Sequence, residues 1–128
     1  MRKVYYAHAM CLYGRVDERK QLALIRKKFR GSSVVNPADY DGDPLKRQDT
    51  VGFCLRLVEG CDMVVFSRLL GKITAGVGKE VNHALKIGKP VFELSPLKVV
   101  RRTRKVSYIT RRDTIRLYMR YRERLWFV

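Results

Sequence analysis

The run Met63-Val64-Val65-Phe66 is continuously apolar. Such a run is typical of a β-strand that is covered on both faces, because a strand with one face in water alternates apolar and polar residues. Shorter β-rich runs occur at Val4–Ala7, Ser33–Asn36 and Val91–Leu94. These runs alternate with stretches of helical character, so the sequence predicts a parallel sheet with right-handed crossovers.

Three helices are predicted between these strands, from apolar spacing and from the residues that mark helix ends. Their expected bounds are Asp17–Phe29, Thr50–Glu59 and Gly76–Ile87. Asp17 is the expected cap of the first helix, and Asp49 or Thr50 that of the second. The stretch Ala38–Lys46 contains three Asp, a Gly and a Pro, and is therefore predicted to be a loop.

The pattern changes after Ser95. Val99-Val100 and Val106–Ile109 are predicted to be short strands, with the basic segment Arg101–Lys105 between them. Thr110-x-x-Asp113 resembles a capping box, which predicts a basic helix that extends to about Arg124.

Together these elements predict one α/β domain, a Rossmann-like three-layer sandwich with a four- or five-stranded, mainly parallel sheet. Residues 1–96 form the expected core. Residues 97–128 form a basic strand-helix extension, which we expect to pack on the core or on another copy in an oligomer. The apolar spacing of the extension and its end, Trp126-Phe127-Val128, favour this packing.

The 128-residue chain carries a net charge of +16, of which +9 lies in residues 97–128. Such a positive field attracts anions, either phosphorylated metabolites or nucleic acid, although a solvated charged surface explains it equally well. No apolar run approaches the length of a membrane span, and the N-terminus lacks the long apolar stretch of a signal peptide. We therefore expect a cytoplasmic protein without membrane contact.

The three cysteines, Cys11, Cys54 and Cys61, include no C-x-x-C pair. This odd number argues against a disulfide framework and against a closed zinc site. The sequence predicts no metal site and no cofactor.

Ligands of an open parallel sheet bind at the carboxyl ends of its strands. The segments that follow the first three strands are Ala7–Gly14, Asn36–Asp43 and Ser67–Gly78, and Asn36 is a candidate substrate-binding residue. Gly76-Val77-Gly78 opens a helix whose free N–H groups form an anion site, with the hydroxyl of Thr74 beside it.

Two common phosphate motifs are excluded at this helix. A dinucleotide fingerprint requires Gly or Ala at position 81, which is Val81. A P-loop that begins at Gly71 requires Lys and then Ser or Thr after Gly76, where Val77 and Gly78 stand. Glu80 follows in the predicted first turn, where an acid could simply stabilise the helix dipole by about 0.3–1 kcal/mol.

Four motifs resemble the nucleoside 2-deoxyribosyltransferase-like superfamily, which includes nucleotide N-glycosidases. They are the first strand Val4-Tyr5-Tyr6-Ala7, the Cys61-Asp62 strand start, the helix start Gly76-x-Gly78-x-Glu80, and Gly88-Lys89-Pro90-Val91. The similarity covers about residues 3–95 and leaves the basic extension outside.

The resemblance implies that Glu80 attacks the anomeric carbon of a nucleoside or nucleotide and forms a glycosyl-enzyme. A carboxylate suits this chemistry because it stabilises an oxocarbenium ion and can bond to it. Tyr5 matches a tyrosine that positions this glutamate, and Thr74 falls where nucleotide-specific members place a serine near the 5′-phosphate. The resemblance also implies a homo-oligomer whose active sites are completed across subunits.

Two positions depart from the family pattern. Cys54 occupies the place of an aspartate that assists the leaving base, and a thiol is a poor proton donor at neutral pH. His8 replaces a glycine of the first loop. His8 is either a substitute general acid, because imidazole titrates near neutrality, or a surface histidine.

Three functions therefore remain open. The first is cleavage or transfer at the N-glycosidic bond of a nucleoside or nucleoside 5′-monophosphate. The second is a non-catalytic nucleotide-binding or sensing module that keeps the fold. The third is a nucleic-acid-binding protein that uses the basic segment Arg101–Arg124, where Tyr108, Tyr118 and Tyr121 could stack on bases. Because the apolar spacing also fits an ordinary docked helix, we expect at most non-specific nucleic-acid contact.

Overall fold

The computed structural model describes residues 1–96 and 98–126, so Leu97, Phe127 and Val128 lie outside the described residues. The chain forms a five-stranded sheet in the order β2-β1-β3-β4-β5. The strands are β1 Lys3–Ala7, β2 Ser33–Val35, β3 Met63–Ser67, β4 Val91–Ser95 and β5 Lys98–Arg102. The first four strands pair in parallel, and β5 pairs antiparallel with β4.

Helices cover both faces of this sheet. They are α1 Val16–Lys28, α2 Pro44–Gln48, α3 Thr50–Glu59, α4 Ala75–Lys86 and α5 Arg111–Trp126, with 3₁₀ helices at Met10–Leu12 and Pro37–Tyr40. Residues from α3 and α4 form one core cluster with one face of the strands. Residues from α1 form a second cluster with the other face. The chain is therefore a Rossmann-like three-layer α/β sandwich, as the sequence predicts.

Strand β3 is buried over its whole length. Val64 and Phe66 contact the α3 and α4 layer, while Met63 and Val65 contact the α1 layer. The continuous apolar run therefore reflects burial on both faces, which confirms the prediction for this strand.

Three local predictions are wrong. Arg15, not Asp17, precedes α1, and no side chain caps that helix. The predicted loop Ala38–Lys46 contains part of a 3₁₀ helix and the start of α2, because Asp43 caps a short helix that begins at Pro44. The predicted strand Val106–Ile109 does not form. Its backbone bonds instead to the side chain of Asn82 and to the carbonyl of Ile73.

Two predicted caps are confirmed. The side chain of Asp49 accepts the N–H of Gly52 at 3.0 Å and caps α3. Thr110 Oγ1 accepts the N–H of Asp113 at 3.1 Å at the start of α5. Both bonds depend on residues within one turn, which is why the local sequence predicts them.

Helix α5 packs on the core of the same chain. Leu117 and Tyr121 are buried against the Met10–Leu12 helix and Leu69. The hydroxyl of Tyr121 donates to Asp17 Oδ2 at 2.7 Å, which gives this acid a tertiary role in place of a cap. The apolar side of α5 therefore attaches the basic extension to the domain.

Among the helices of the described residues, none has the length and apolar character needed to cross a membrane.

The two glycines at the start of α4 have different surroundings, which makes them a matched pair. A Cβ at Gly78 would lie 2.2 Å from Cδ1 of Tyr108, whereas a Cβ at Gly76 would meet no atom within 4 Å. We expect Gly78→Ala to lower the free energy of unfolding by about 1–3 kcal/mol through overpacking. Gly76→Ala should be neutral or stabilise the protein by up to about 1 kcal/mol.

Urea unfolding of both variants measures this difference, and the Gly78→Ala penalty should shrink in a Tyr108→Ala background. Equal stability of the two single variants would show that the Tyr108 ring moves away without cost.

Candidate functional site

A cleft of about 660 Å³ lies at the carboxyl edge of the sheet. The segment after β1, the junction of α2 and α3, and the first turns of α4 and α5 form its walls. Small-molecule sites have volumes of about 300–1,000 Å³ and occur at this edge of parallel sheets. Of the sequence-predicted site residues, the cleft brings together His8, Thr74, Gly76 and Glu80.

Glu80 is the sixth residue of α4 and is buried. It therefore lies beyond the first turn, so stabilisation of the helix dipole does not explain it. The hydroxyl of Tyr5, itself fully buried on β1, donates a hydrogen bond to Oε2 of Glu80. The sequence separation of 75 residues means that only the packing of α4 on β1 joins these two groups.

Burial raises the pKa of Glu80 to about 7, while hydrogen bonds from Tyr5 and Cys54 and the charge of Lys46 act in the opposite direction. Burial also raises the pKa of Cys54 to about 11 and that of Tyr5 well above its ordinary value, and Glu80 adds to both shifts. At neutral pH the Glu80 carboxyl group therefore populates both its protonated and its ionised form, whereas Tyr5 and Cys54 keep their protons. The Tyr5 hydroxyl donates its hydrogen bond to the carboxylate.

Lys46 is a buried cation that sequence reasoning missed. Its Nζ donates to the carbonyl of Pro37 at 2.7 Å and to Asp41 Oδ1 at 2.6 Å, and it lies 5.2 Å from the centre of the Tyr13 ring. Lys46 is the last residue of the predicted loop Ala38–Lys46. The residues next to it in sequence show no apolar spacing that would indicate burial. The charge of Lys46 lowers the pKa of Glu80.

His8 is buried, so its interpretation as a surface histidine is wrong. Nδ1 lies 3.0 Å from the carbonyl oxygen of Tyr6, and Nε2 lies 2.7 Å from Oε2 of Glu18. The ring also stacks on Tyr6, with centroids 3.7 Å apart. Burial lowers the pKa of His8, whereas the hydrogen bonds to Glu18 and Tyr6 favour the charged ring.

Both ring nitrogens of His8 are therefore engaged by acceptors within the protein. Neither nitrogen is free to meet a ligand. This geometry supports a role for His8 in holding the segment after β1, and it does not favour a general acid.

The predicted anion-binding residues at the start of α4 differ in whether they line the cleft. Thr74 precedes the helix without a side-chain cap bond, and its Oγ1 is buried without a hydrogen-bond partner. Gly76 is exposed and lines the cleft. Gly78 is absent from the cleft wall because the ring of Tyr108 covers it.

Asn36 also lies outside the cleft wall. Its side-chain oxygen accepts the N–H of Ala38 at 2.9 Å and caps the 3₁₀ helix Pro37–Tyr40. An Asn before Pro commonly makes such a local bond, which explains its burial without a ligand.

Three exposed cations from three helices line the cleft: Arg47 of α2, Lys79 of α4 and Arg111 of α5. Within residues 1–96 and 98–126 none of them forms an ion pair. Asp49, an acid of the same wall, uses its carboxylate to cap α3. The cleft is therefore set up to attract an anionic ligand.

In the described part of the chain, no group of three or more His, Cys, Asp or Glu side chains is arranged to hold a metal ion.

Comparison of the chain with family models and with curated proteins gave no match.

The buried carboxyl group predicts a pH-dependent stability. Because the folded-state pKa of Glu80 lies near 7, above its unfolded value near 4.5, its stabilising contribution is complete below about pH 4.5 and is lost as the pH rises through 7. We expect Glu80→Gln to remove this dependence, since the amide oxygen still accepts the Tyr5 hydroxyl. At pH 8 the variant should exceed the parent in free energy of unfolding by up to about 3 kcal/mol.

Urea unfolding at pH 5 and pH 8 measures this effect, with the exposed Glu123→Gln as the matched control. If Glu80→Gln and Glu123→Gln show the same pH dependence as the parent, Glu80 is not a buried, destabilising acid.

Proposed function

We propose that this protein cleaves or transfers the N-glycosidic bond of a nucleoside or nucleoside 5′-monophosphate, with Glu80 as the nucleophile. The observation that carries the proposal is the buried Glu80 carboxyl group at the cleft, which a hydrogen bond from Tyr5 holds in place. This pairing of a glutamate on α4 with a first-strand tyrosine is the arrangement that the family resemblance implies.

In the proposed reaction, a carboxylate oxygen of Glu80 attacks the anomeric carbon of the sugar. The C–N bond breaks, and its electron pair leaves with the base, which takes a proton from solvent in the cleft. The bond from Tyr5 to Oε2 orients the carboxylate and offsets part of its charge. Water or a second base then attacks the glycosyl ester and releases Glu80.

A second candidate function is a nucleotide-binding module without turnover. The observation that favours it is Cys54, whose pKa of about 11 makes the thiol a weak acid at the position where the family places an aspartate. In this function Glu80 would accept or donate a hydrogen bond to a ribose hydroxyl, because it titrates near neutrality.

The tyrosines of α5 do not favour nucleic-acid binding. The hydroxyl of Tyr118 accepts the N–H of Met10 at 3.2 Å, and Tyr121 is buried and bonded to Asp17. Both rings pack against the core cluster around Leu12 and Leu117, whereas Tyr108, which precedes α5, is 41% exposed.

Release of free base separates the catalytic function from the binding function. With a panel of nucleosides and 5′-monophosphates, we expect base release by the parent and a loss of about a thousandfold or more in both Glu80→Ala and Glu80→Gln. Glu123→Gln should retain the parent rate, and cooperative melting curves should show that all three variants are folded. Full activity of Glu80→Gln would rule out the covalent mechanism.

The pH profile tests the ionisation of the nucleophile. Because the attacking carboxylate must be deprotonated, kcat/KM should rise with pH and level off above about pH 7. Tyr5→Phe removes a hydrogen bond that lowers the pKa of Glu80, so the rising limb should move to higher pH. If kcat/KM falls as the pH rises, or if Tyr5→Phe does not shift the pH at which kcat/KM rises, Glu80 is not a nucleophile whose pKa Tyr5 lowers.

A further inference from the structure

The exposed side of α5 carries a row of arginines. They are spaced four residues apart, lie on successive turns of the helix and are all exposed: Arg112, Arg116, Arg120 and Arg124. Each step along this arginine row is about 6 Å, and the whole row is about 18 Å long. In the part of the chain that the structure describes, only Arg116 of the row is ion-paired, at 3.9 Å from the exposed Asp113. The row is therefore a line of positive charge with little compensation.

An apolar strip with the same spacing lies beside the arginine row. It consists of Ile115 and Met119, which are 50% and 58% exposed. Met10, which lines the cleft together with Ile115, is 49% exposed. Adjoining apolar side chains that are rimmed by charged ones mark an interaction site, whereas a solvated helix face has no need of them.

Helix α5 connects two concave surfaces. Its first turns line the cleft that contains Glu80. Its last turns line a groove of about 560 Å³, in which Arg120 and Arg124 face Leu70. A chain-like polyanion with one unit in the cleft can follow the arginine row from the cleft to this groove. A lipid bilayer presents an extended flat surface and does not enter either concavity.

A single-stranded nucleic acid matches both the row and the strip. Every unit of a single strand exposes a phosphate and the faces of a base, and surfaces that bind such strands combine cations with side chains on which bases stack. The planar guanidinium of arginine pairs well with phosphate oxygens. A duplex keeps its base faces stacked inside and would leave the apolar strip in water. The cleft, at about 660 Å³, has room for one nucleotide that has left the stack.

We propose that a single-stranded nucleic acid binds along α5 and that one nucleotide unit of this strand is the substrate in the cleft. This inference rests on the proposed function and names its substrate class. A bond forms between C1′ of that unit and a carboxylate oxygen of Glu80 as the C1′–N bond breaks. The base leaves with the electron pair and takes a proton from solvent. Water then hydrolyses the glycosyl ester, which frees Glu80 and leaves an abasic sugar in an intact strand.

Binding is measured by fluorescence anisotropy with the full chain and labelled strands of about 12 nucleotides. At physiological salt we expect a single strand to bind more tightly than a duplex of the same length. Attraction of charge alone would give the opposite order, because a duplex has the denser phosphates. Vesicles that contain an anionic phospholipid should not bind under the same conditions.

Two matched double variants separate the arginine row from the overall positive field. Arg116→Gln with Arg120→Gln should weaken strand binding about tenfold. It should also lower the slope of log K against log salt concentration by about 1.4, because each lost phosphate contact contributes about 0.7. Arg26→Gln with Arg30→Gln removes the same charge at the same spacing, at the end of α1. This control should leave both the affinity and the slope near the parent values.

The apolar strip is examined with Met119→Ser. This variant should reduce the preference for single strands over duplexes about fivefold and leave the salt slope unchanged, since it removes a base contact without removing a charge. Equal effects of the two double variants, tighter binding of the duplex, or binding of anionic vesicles without binding of the strand would overturn the inference.

Base release from a strand tests the substrate class. The expected product is a strand with an abasic site, which mass spectrometry detects as the loss of one base. Because contacts along α5 add binding energy remote from the reacting bond, kcat/KM should exceed that for a free 5′-monophosphate by about tenfold or more. Base release from free nucleotides but not from strands would overturn this inference and leave the proposed function in place. Strand binding through the arginine row without base release from any substrate would refute the proposed function and leave the strand-binding surface in place.

Discussion

The burial of the Glu80 carboxyl group constrains how the strand and helices at the centre of this molecule pack together. A carboxylate removed from water is stable only when donors satisfy it, and Glu80 accepts the hydroxyl of Tyr5 on β1, while Cys54 on α3 also lowers its pKa. Strand, helix and helix must therefore pack in one register for the group to be tolerated. Burial still raises its pKa to about 7, which leaves an acid that stability alone does not explain and that points to function.

The basic extension, residues 97–128, contributes residues to the wall of the same cleft. It lies outside residues 3–95, the part of the chain that carries the family resemblance. Its helix α5 is attached by Leu117 and Tyr121, and its first turn contacts the start of α4 through Thr114. Part of the positive charge of residues 97–128 is thereby placed at the mouth of the cleft as Arg111. A segment that by composition resembles a nucleic-acid-binding tail therefore forms, in the fold, one wall of the cleft.

Features of this chain that depend on interactions between residues close in sequence could be predicted from the sequence. The four parallel strands, the cap at Asp49 and the start of α5 at Thr110 depend on periodicity or on bonds within one turn, and all were predictable. The missed features depend on distant partners. Asp17 bonds to Tyr121 in place of capping α1, and Val106 bonds to Asn82 in place of forming a strand. Neither partner can be read from local spacing.

Apolar periodicity in the sequence by itself determined the three-layer architecture, since a run such as Met63–Phe66 requires cover on both faces. The helix start at Gly76 and the identity of Glu80 as a candidate nucleophile were likewise present in the motifs. Only the tertiary structure decided the electrostatics of the site. It buried Lys46 near the carboxyl group and engaged both nitrogens of His8. The reason is physical: pKa values and free donors depend on burial and on contacts between residues far apart in the chain, which local patterns do not encode.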